Sequence, residues 1–152
     1  MVIISRYLLG IIFLLIACTP VKKDVTTTSS SCLPSQSSCI VTTAHGSFKI
    51  LFNAEKITTE VPFNITVRYQ GEHFIKALSG YLEGKDMYMG KVPVFFDSDI
   101  TDKNVFIAQS MLGSCSEEKM IWQLWLNVIG DKADASEPFA ENFFIEFEST
   151  RF

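Results

Sequence analysis

Basic residues are in short supply in this 152-residue chain, where 13 Lys and Arg stand against 17 Asp and Glu for a net charge of −4. That balance lacks the electrostatic footprint of a nucleic-acid binder, and it offers nothing for attraction to anionic lipid. Histidine is scarcer still: the chain has 2, His45 and His73, and both read as surface residues. No Gly-x-Ser-x-Gly elbow, His-Glu-x-x-His, Walker loop or dinucleotide fingerprint occurs. The carboxylate pairs Asp97/Asp99 and Glu117/Glu118 fall in polar, turn-like stretches and read as solvated charges. A membrane-spanning run is also missing, because the charge-free segment Tyr7 to Ala17 falls short of the ~20 residues a spanning helix needs. Nor does any long segment carry a 3.6-residue apolar stripe. Together these absences argue against an enzyme and against a helical fold.

What the N-terminus does carry is an address. The run Tyr7 to Ala17 has the length of a signal-peptide apolar region, with Arg6 as its positive flank. Its last residues, Leu15-Ile16-Ala17-Cys18, resemble the lipobox of bacterial lipoproteins. The resemblance implies cleavage after Ala17, a diacylglyceryl group on the Cys18 sulfur, and acylation of the new amine. Two or more acyl chains hold a protein stably on a membrane where one does not. Thr19 stands where enteric lipoproteins retained in the inner membrane usually have Asp, which favours the outer membrane. An ordinary secretory signal or an uncleaved anchor is the alternative.

Residues 19 to 38 (TPVKKDVTTTSSSCLPSQSS) are rich in Ser and Thr with almost no apolar content. Such a segment buries too little surface to order itself, and as a flexible coil it spans roughly 25 Å. The expected organisation is therefore a signal peptide over 1–17, a lipidated Cys18 and tether over 18–38, and one domain over 39–152.

From Ile40 onward the apolar residues alternate. Phe48, Ile50 and Phe52 do so, as do Phe63, Ile65, Val67 and Tyr69, and Val105, Ile107 and Met111. The clearest case is Met120, Trp122, Leu124, Leu126 and Val128, followed by Phe143, Ile145 and Phe147 with Glu146 and Glu148 outward. Further strands are expected around Phe74–Leu82 and Val92–Phe96, with turn signals at Gln70-Gly71, Gly84-Lys85-Asp86, Asp97-Ser98-Asp99, Gly113-Ser114 and Gly130-Asp131. About seven short strands predict an all-β, antiparallel two-sheet sandwich of immunoglobulin-like type; a small barrel is the alternative.

With Cys18 lipidated, Cys32, Cys39 and Cys115 remain, an odd number in an oxidising compartment. A Cys32–Cys39 bridge would pin the tether to the first strand and leave Cys115 free. A Cys39–Cys115 bridge would staple that strand to the loop before Trp122, and the chain-entropy argument favours this longer loop. Both stay open here.

One segment stands out for its chemistry: Gly84-Lys85-Asp86-Met87-Tyr88-Met89-Gly90. If extended, it puts Met87 and Met89 on one side roughly 7 Å apart. Thioethers and thiolates select Cu(I), so Met87, Met89 and Cys115 are candidate ligands of a three-sulfur cup, with His45 as a possible nitrogen addition. Packing is the plainer use of methionine. Met120, which opens the strongest strand, reads as core. A thiol-based redox role for Cys115 is a third option. Asn64-Ile65-Thr66 matches a glycosylation sequon but has no bearing in a bacterial lipoprotein.

Three pieces, Cys32-x6-Cys39, Gly84-x-Asp86-Met87-x-Met89-Gly90 and Cys115-x4-Met120-x-Trp122, together resemble a family of small, uncharacterised proteobacterial envelope proteins. The resemblance implies a periplasm-facing domain and brings no activity with it. Here Tyr88 sits between the two Met residues where relatives often have Asn or another aromatic. In architecture and methionine content alone the chain also resembles copper-associated β-sandwiches. The expected function is a membrane-anchored, periplasm-facing lipoprotein with a non-catalytic binding or structural role and an envelope protein as partner; the alternative is a Cu(I)-binding protein.

Overall fold

The computed structural model describes residues 28–31, 38–132 and 137–151, the first four by their backbone alone. Cys18, the lipobox and Cys32 lie outside the described residues.

Among the described residues eleven strands form two sheets: β1 (Thr28–Ser31), β2 (Ser38–Thr43), β3 (Gly46–Phe52), β4 (Ile57–Thr58), β5 (Phe63–Gln70), β6 (Phe74–Gly84), β7 (Val92–Phe95), β8 (Asp97–Ser98), β9 (Val105–Ser110), β10 (Lys119–Asp131) and β11 (Pro138–Thr150). One sheet runs β1-β11-β10-β6-β7, with β4 also paired to β11; the other runs β2-β3-β5-β9-β8. The chain is an all-β sandwich. The paths β3-β5-β9-β8 and β11-β10-β6-β7 reproduce the A-B-E-D and G-F-C-C′ strand orders of the immunoglobulin fold. Three strands extend that plan: β2 lengthens the first sheet beyond β3, and β1 and the short β4 lie parallel along β11.

The seven expected strands correspond to β3, β5, β6, β7, β9, β10 and β11. The four additions are short or poor in apolar residues, so no alternation announces them. One of them changes the organisation. Thr28–Ser31 falls within the expected tether, yet it pairs in register with Phe143–Glu146.

Alternation puts the core between the sheets. On β10, Met120, Trp122, Leu124, Leu126 and Val128 are all buried; on β11, Phe143, Ile145 and Phe147 face them. From the other sheet come Phe48, Ile50, Ile65 and Val67. Phe52 lies 5.0 Å from Phe147 and 6.0 Å from Phe63, ring to ring, closing the core at one end. On β9 the expected phase is reversed beyond Val105. Phe106, Ala108 and Ser110 are buried, while Ile107 and Met111 are exposed. The register decides this, since Val67↔Phe106, Ile65↔Ala108 and Phe63↔Ser110 pair on the core face of β5, and a one-residue slip would turn every inward side chain out.

A ladder of rings crosses the outer face of the larger sheet. Trp125 lies opposite both Tyr81 and Phe144, with ring centroids 6.0 Å and 4.6 Å away, and Lys91 Nζ sits 4.0 Å from the Tyr81 ring centre. Cross-strand aromatic pairs of this kind stabilise a sheet by ~0.2–1 kcal/mol each.

Candidate functional site

The β6–β7 loop and the β9–β10 loop meet at one end of β10. Lys85 N donates to the Ile121 carbonyl at 2.9 Å, which turns the chain out of β6 through a bend over Lys85–Met87. Gly84 is required here: a Cβ at this position would collide with the Met87 carbonyl and with the Met120 methyl group. Those two groups therefore lie side by side over the end of the strand. On the facing loop, Arg151 N donates to the Glu118 carbonyl at 2.8 Å, and its guanidinium reaches the Cys115 and Ser116 carbonyls at 3.4 and 3.3 Å. The end of β11 thus holds the loop that carries Cys115.

The result is a contact between two sulfur atoms. The Cys115 thiol donates to Met87 Sδ at 3.2 Å, across 28 residues of sequence. Cys115 is a free, half-buried cysteine, and the Met87 side chain is 38% exposed. The backbone N–H of Glu117 above all, helped by the hydroxyl and N–H of Ser116, holds the Cys115 thiol below its ordinary pKa against burial and the Glu117 charge, which pull it up. Beside the sulfur pair opens a cavity of about 390 Å³, lined by Met87, Met120 and Ile121. Its polar wall is Asp86, Glu117, Glu148 and Lys119, with the Lys119 ammonium paired to Glu148 at 3.1 Å. Three carboxylates against one ammonium leave this mouth favourable to cations.

The expected sulfur cup is assembled in part. Met87 and Cys115 meet; Met89 and Cys115 are both partly buried against the core, and of the three only Met87 lines the cavity. The reason is the bend at Lys85–Met87: the segment is not extended there, so period two does not hold across it. Met120, read as core, is indeed buried, and it also lines the cavity. Its proximity is not legible in the sequence, because it depends on the register that pairs Gly84 with Trp122, two residues along β10 from Met120.

The free thiol of Cys115 excludes the Cys39–Cys115 staple. Cys39 is disulfide-bonded, and Cys115 is engaged with Met87 instead. His45 is not available to the sulfur pair and is not a simple surface residue. Its Nδ1 lies 2.7 Å from Glu141 Oε1 and its ring stacks 4.2 Å from Phe139, with the His73 ring 5.5 Å away. Glu141 pairs with Val128 on β10, while Cys115 precedes Lys119 at the strand's other end, roughly 30 Å off at the rise of an extended strand. Asp99, read as a solvated charge, organises its own turn by accepting from Thr101 N at 2.8 Å and Asp102 N at 3.0 Å. The Thr101 hydroxyl first, and then those two N–H groups, lower its pKa.

No protein-family model matches the chain, and no curated protein matches it in sequence. A solved structure does. The crystal structure of a DUF4785 family protein from Legionella pneumophila superposes with a TM-score of 0.57 at 13% identity, over 72% of this chain and 29% of that one. At that identity the likeness is one of fold: this β-sandwich resembles a part of a longer bacterial protein from an uncharacterised family.

Proposed function

We propose that the protein is a lipid-anchored, periplasm-facing component of the bacterial envelope whose role is binding rather than turnover. The lipobox Leu15–Cys18 supports the anchor, and Thr19 supports the outer membrane. The proposed anchor leads through the chain to a sandwich whose first strand, β1, already lies on the edge of the larger sheet. A Cys32–Cys39 bridge completes this reading: Cys39 needs a disulfide partner other than Cys115, and Cys32 supplies it six residues upstream of the β2 residue Ser38.

The observation that carries the binding role is the sulfur-lined cavity, with Met87 at its wall and Cys115 against Met87 at 3.2 Å. Next to it Tyr88 is 82% exposed, so the Met87–Gly90 segment presents apolar surface to an envelope protein partner. Cu(I) handling is the second reading, favoured by the same pair of soft sulfur atoms. Among the described residues the Cys115 thiol and the two histidines sit at opposite ends of the sandwich, which supports binding over a Cys-His mechanism.

The anchor is tested by metabolic labelling with an alkyne fatty acid. Label should be incorporated by the wild-type chain and lost in Cys18→Ser, with the wild-type protein recovered in the outer-membrane fraction. Label persisting in Cys18→Ser would overturn the lipoprotein reading.

A further inference from the structure

We propose that the cavity beside Met87 binds a linear aliphatic diamine in its doubly charged form. Asp86 and Glu117 would face its two ammonium ends, and Met87, Met120 and Ile121 would take its methylene chain. The inference rests on the binding role proposed above and names the ligand class of that same site. It makes no use of the Cys115 thiol, which does not line the cavity.

Three observations converge on it. The cavity holds about 390 Å³, within the ~300–1,000 Å³ of small-molecule sites. Its apolar lining comes from Met87, Met120 and Ile121, and methionine adapts its shape to an irregular apolar neighbour. The second observation is charge. Asp86, Glu117 and Glu148 stand against the single ammonium of Lys119, so the lining carries a net of two negative charges. The third is where the nearby cations go. Lys119 is committed to Glu148 at 3.1 Å, and Lys85, the chain neighbour of Asp86, to Glu146 at 2.9 Å. The Arg151 guanidinium turns to the Cys115 and Ser116 carbonyls. Among the described residues Asp86 and Glu117 therefore enter no ion pair. They stand on the two loops that meet at this end of β10, so the missing countercharge is divided between two walls with apolar surface between them.

That division selects the cation. Among the described residues no group of three His, Cys, Asp or Glu is placed to hold a metal ion, so the negative charge is spread around a volume and not focused on a point. A small metal dication would keep its water and leave the apolar lining unused. A monoamine would answer one carboxylate and leave the other. An aliphatic diamine carries two charges held apart by methylenes, which leave water as they cover the methionines. Alkylammonium groups also stay charged at neutral pH, as lysine does with its ordinary pKa of about 10.4. Both carboxylates are exposed, so binding is weakened by salt.

The test is calorimetric titration of the full-length chain in detergent, at low ionic strength, with the linear series from 1,3-diaminopropane to 1,8-diaminooctane. The best-fitting member should bind at one equivalent and more tightly than the monoamine of the same chain length. Mg²⁺ at equal charge should not displace it. Asp86→Asn and Glu117→Gln should each weaken it about fivefold, the upper range for an exposed charge pair. Glu118→Gln removes the same charge one residue along, outside the cavity lining, and should bind like the wild type. An unchanged melting temperature in each variant shows that the fold is intact. Absence of binding by every member of the series would overturn the proposal. Displacement by Mg²⁺, or equal weakening in Glu118→Gln and Glu117→Gln, would also overturn it, by reducing the site to diffuse surface charge. None of these results touches fatty-acid labelling at Cys18, so failure of the diamine site and failure of the lipoprotein reading are told apart.

Discussion

Trp122 Nε1 donates a hydrogen bond to Ser149 Oγ at 3.0 Å, inside the core, with both side chains about 1% exposed. The bond satisfies the only polar atom of the Trp122 side chain, the largest of the fully buried ones, and it ties β10 to the end of β11. Ser149→Ala removes the acceptor and leaves a buried N–H unpaired, at a cost of about 1–3 kcal/mol. Urea unfolding should show that loss as a lower midpoint with an unchanged slope. A midpoint equal to that of the wild type would mean that the indole N–H finds another acceptor.

Glu146 should shape the acid side of the stability profile. Its carboxylate accepts from Gln123 Nε2 at 2.9 Å and from Lys85 Nζ at 2.9 Å, and these partners lower its pKa from the ordinary 4.5, hydrogen bonding to Gln123 first. A depressed folded pKa means that the unfolded chain binds the proton more readily, so stability rises with pH through this range. The contribution is fully present above the ordinary glutamate value and is lost as pH falls through the depressed one. Glu146→Gln should therefore differ most from the wild type near neutral pH and approach it in acid. Melting temperatures of the two proteins between about pH 3 and pH 7 will show whether the curves converge. A constant offset at every pH would place the effect in packing rather than in charge.

The cysteines make a separable forecast. Cys115 is a free thiol and Cys39 is disulfide-bonded. Alkylation of the unfolded but unreduced protein, read by peptide mass spectrometry, should modify Cys115 and leave Cys39 untouched until reductant is added. A disulfide-linked peptide containing Cys115 would contradict both the fold of the β9–β10 loop and the Cu(I) reading of its thiol.

How far the sequence reaches depends on the element. β10 is plain because its apolar residues alternate without interruption from Met120 to Val128. β9 misleads because Val105, Phe106 and Ile107 are consecutive and apolar, so its phase is fixed by pairing with β5 and not by its own pattern. β1 is invisible for a different reason: Thr28–Ser31 buries no apolar run and is held by backbone pairing to β11. At the site, residue chemistry singles out Met87 and Cys115, and the turn after Gly84 brings them together. That Met120 and not Met89 lines the cavity depends on the bend at Lys85–Met87 and on the strand register, both of which are tertiary. His45 is missed for a similar reason, since Glu141 lies 96 residues away in sequence.

Gly84 connects the fold to the site most directly, and its replacement tests that connection. A Cβ there meets the Met87 carbonyl and the Met120 methyl group; the methyl can swing away, but the carbonyl belongs to backbone held by the Lys85–Ile121 hydrogen bond. Gly84→Ala should therefore push the Met87 loop outward and destabilise the protein by about 1–3 kcal/mol, the usual range for overpacking. It should also separate Met87 from Cys115, so that iodoacetamide modifies the native thiol faster than in the wild type. Gly113→Ala is the matched control in the neighbouring loop, because nothing lies within 4 Å of its added Cβ. It should leave both stability and thiol reactivity near wild-type values. If Gly84→Ala behaves like Gly113→Ala on both counts, the close packing of the two methionines over the end of β6 is not what holds Met87 against Cys115.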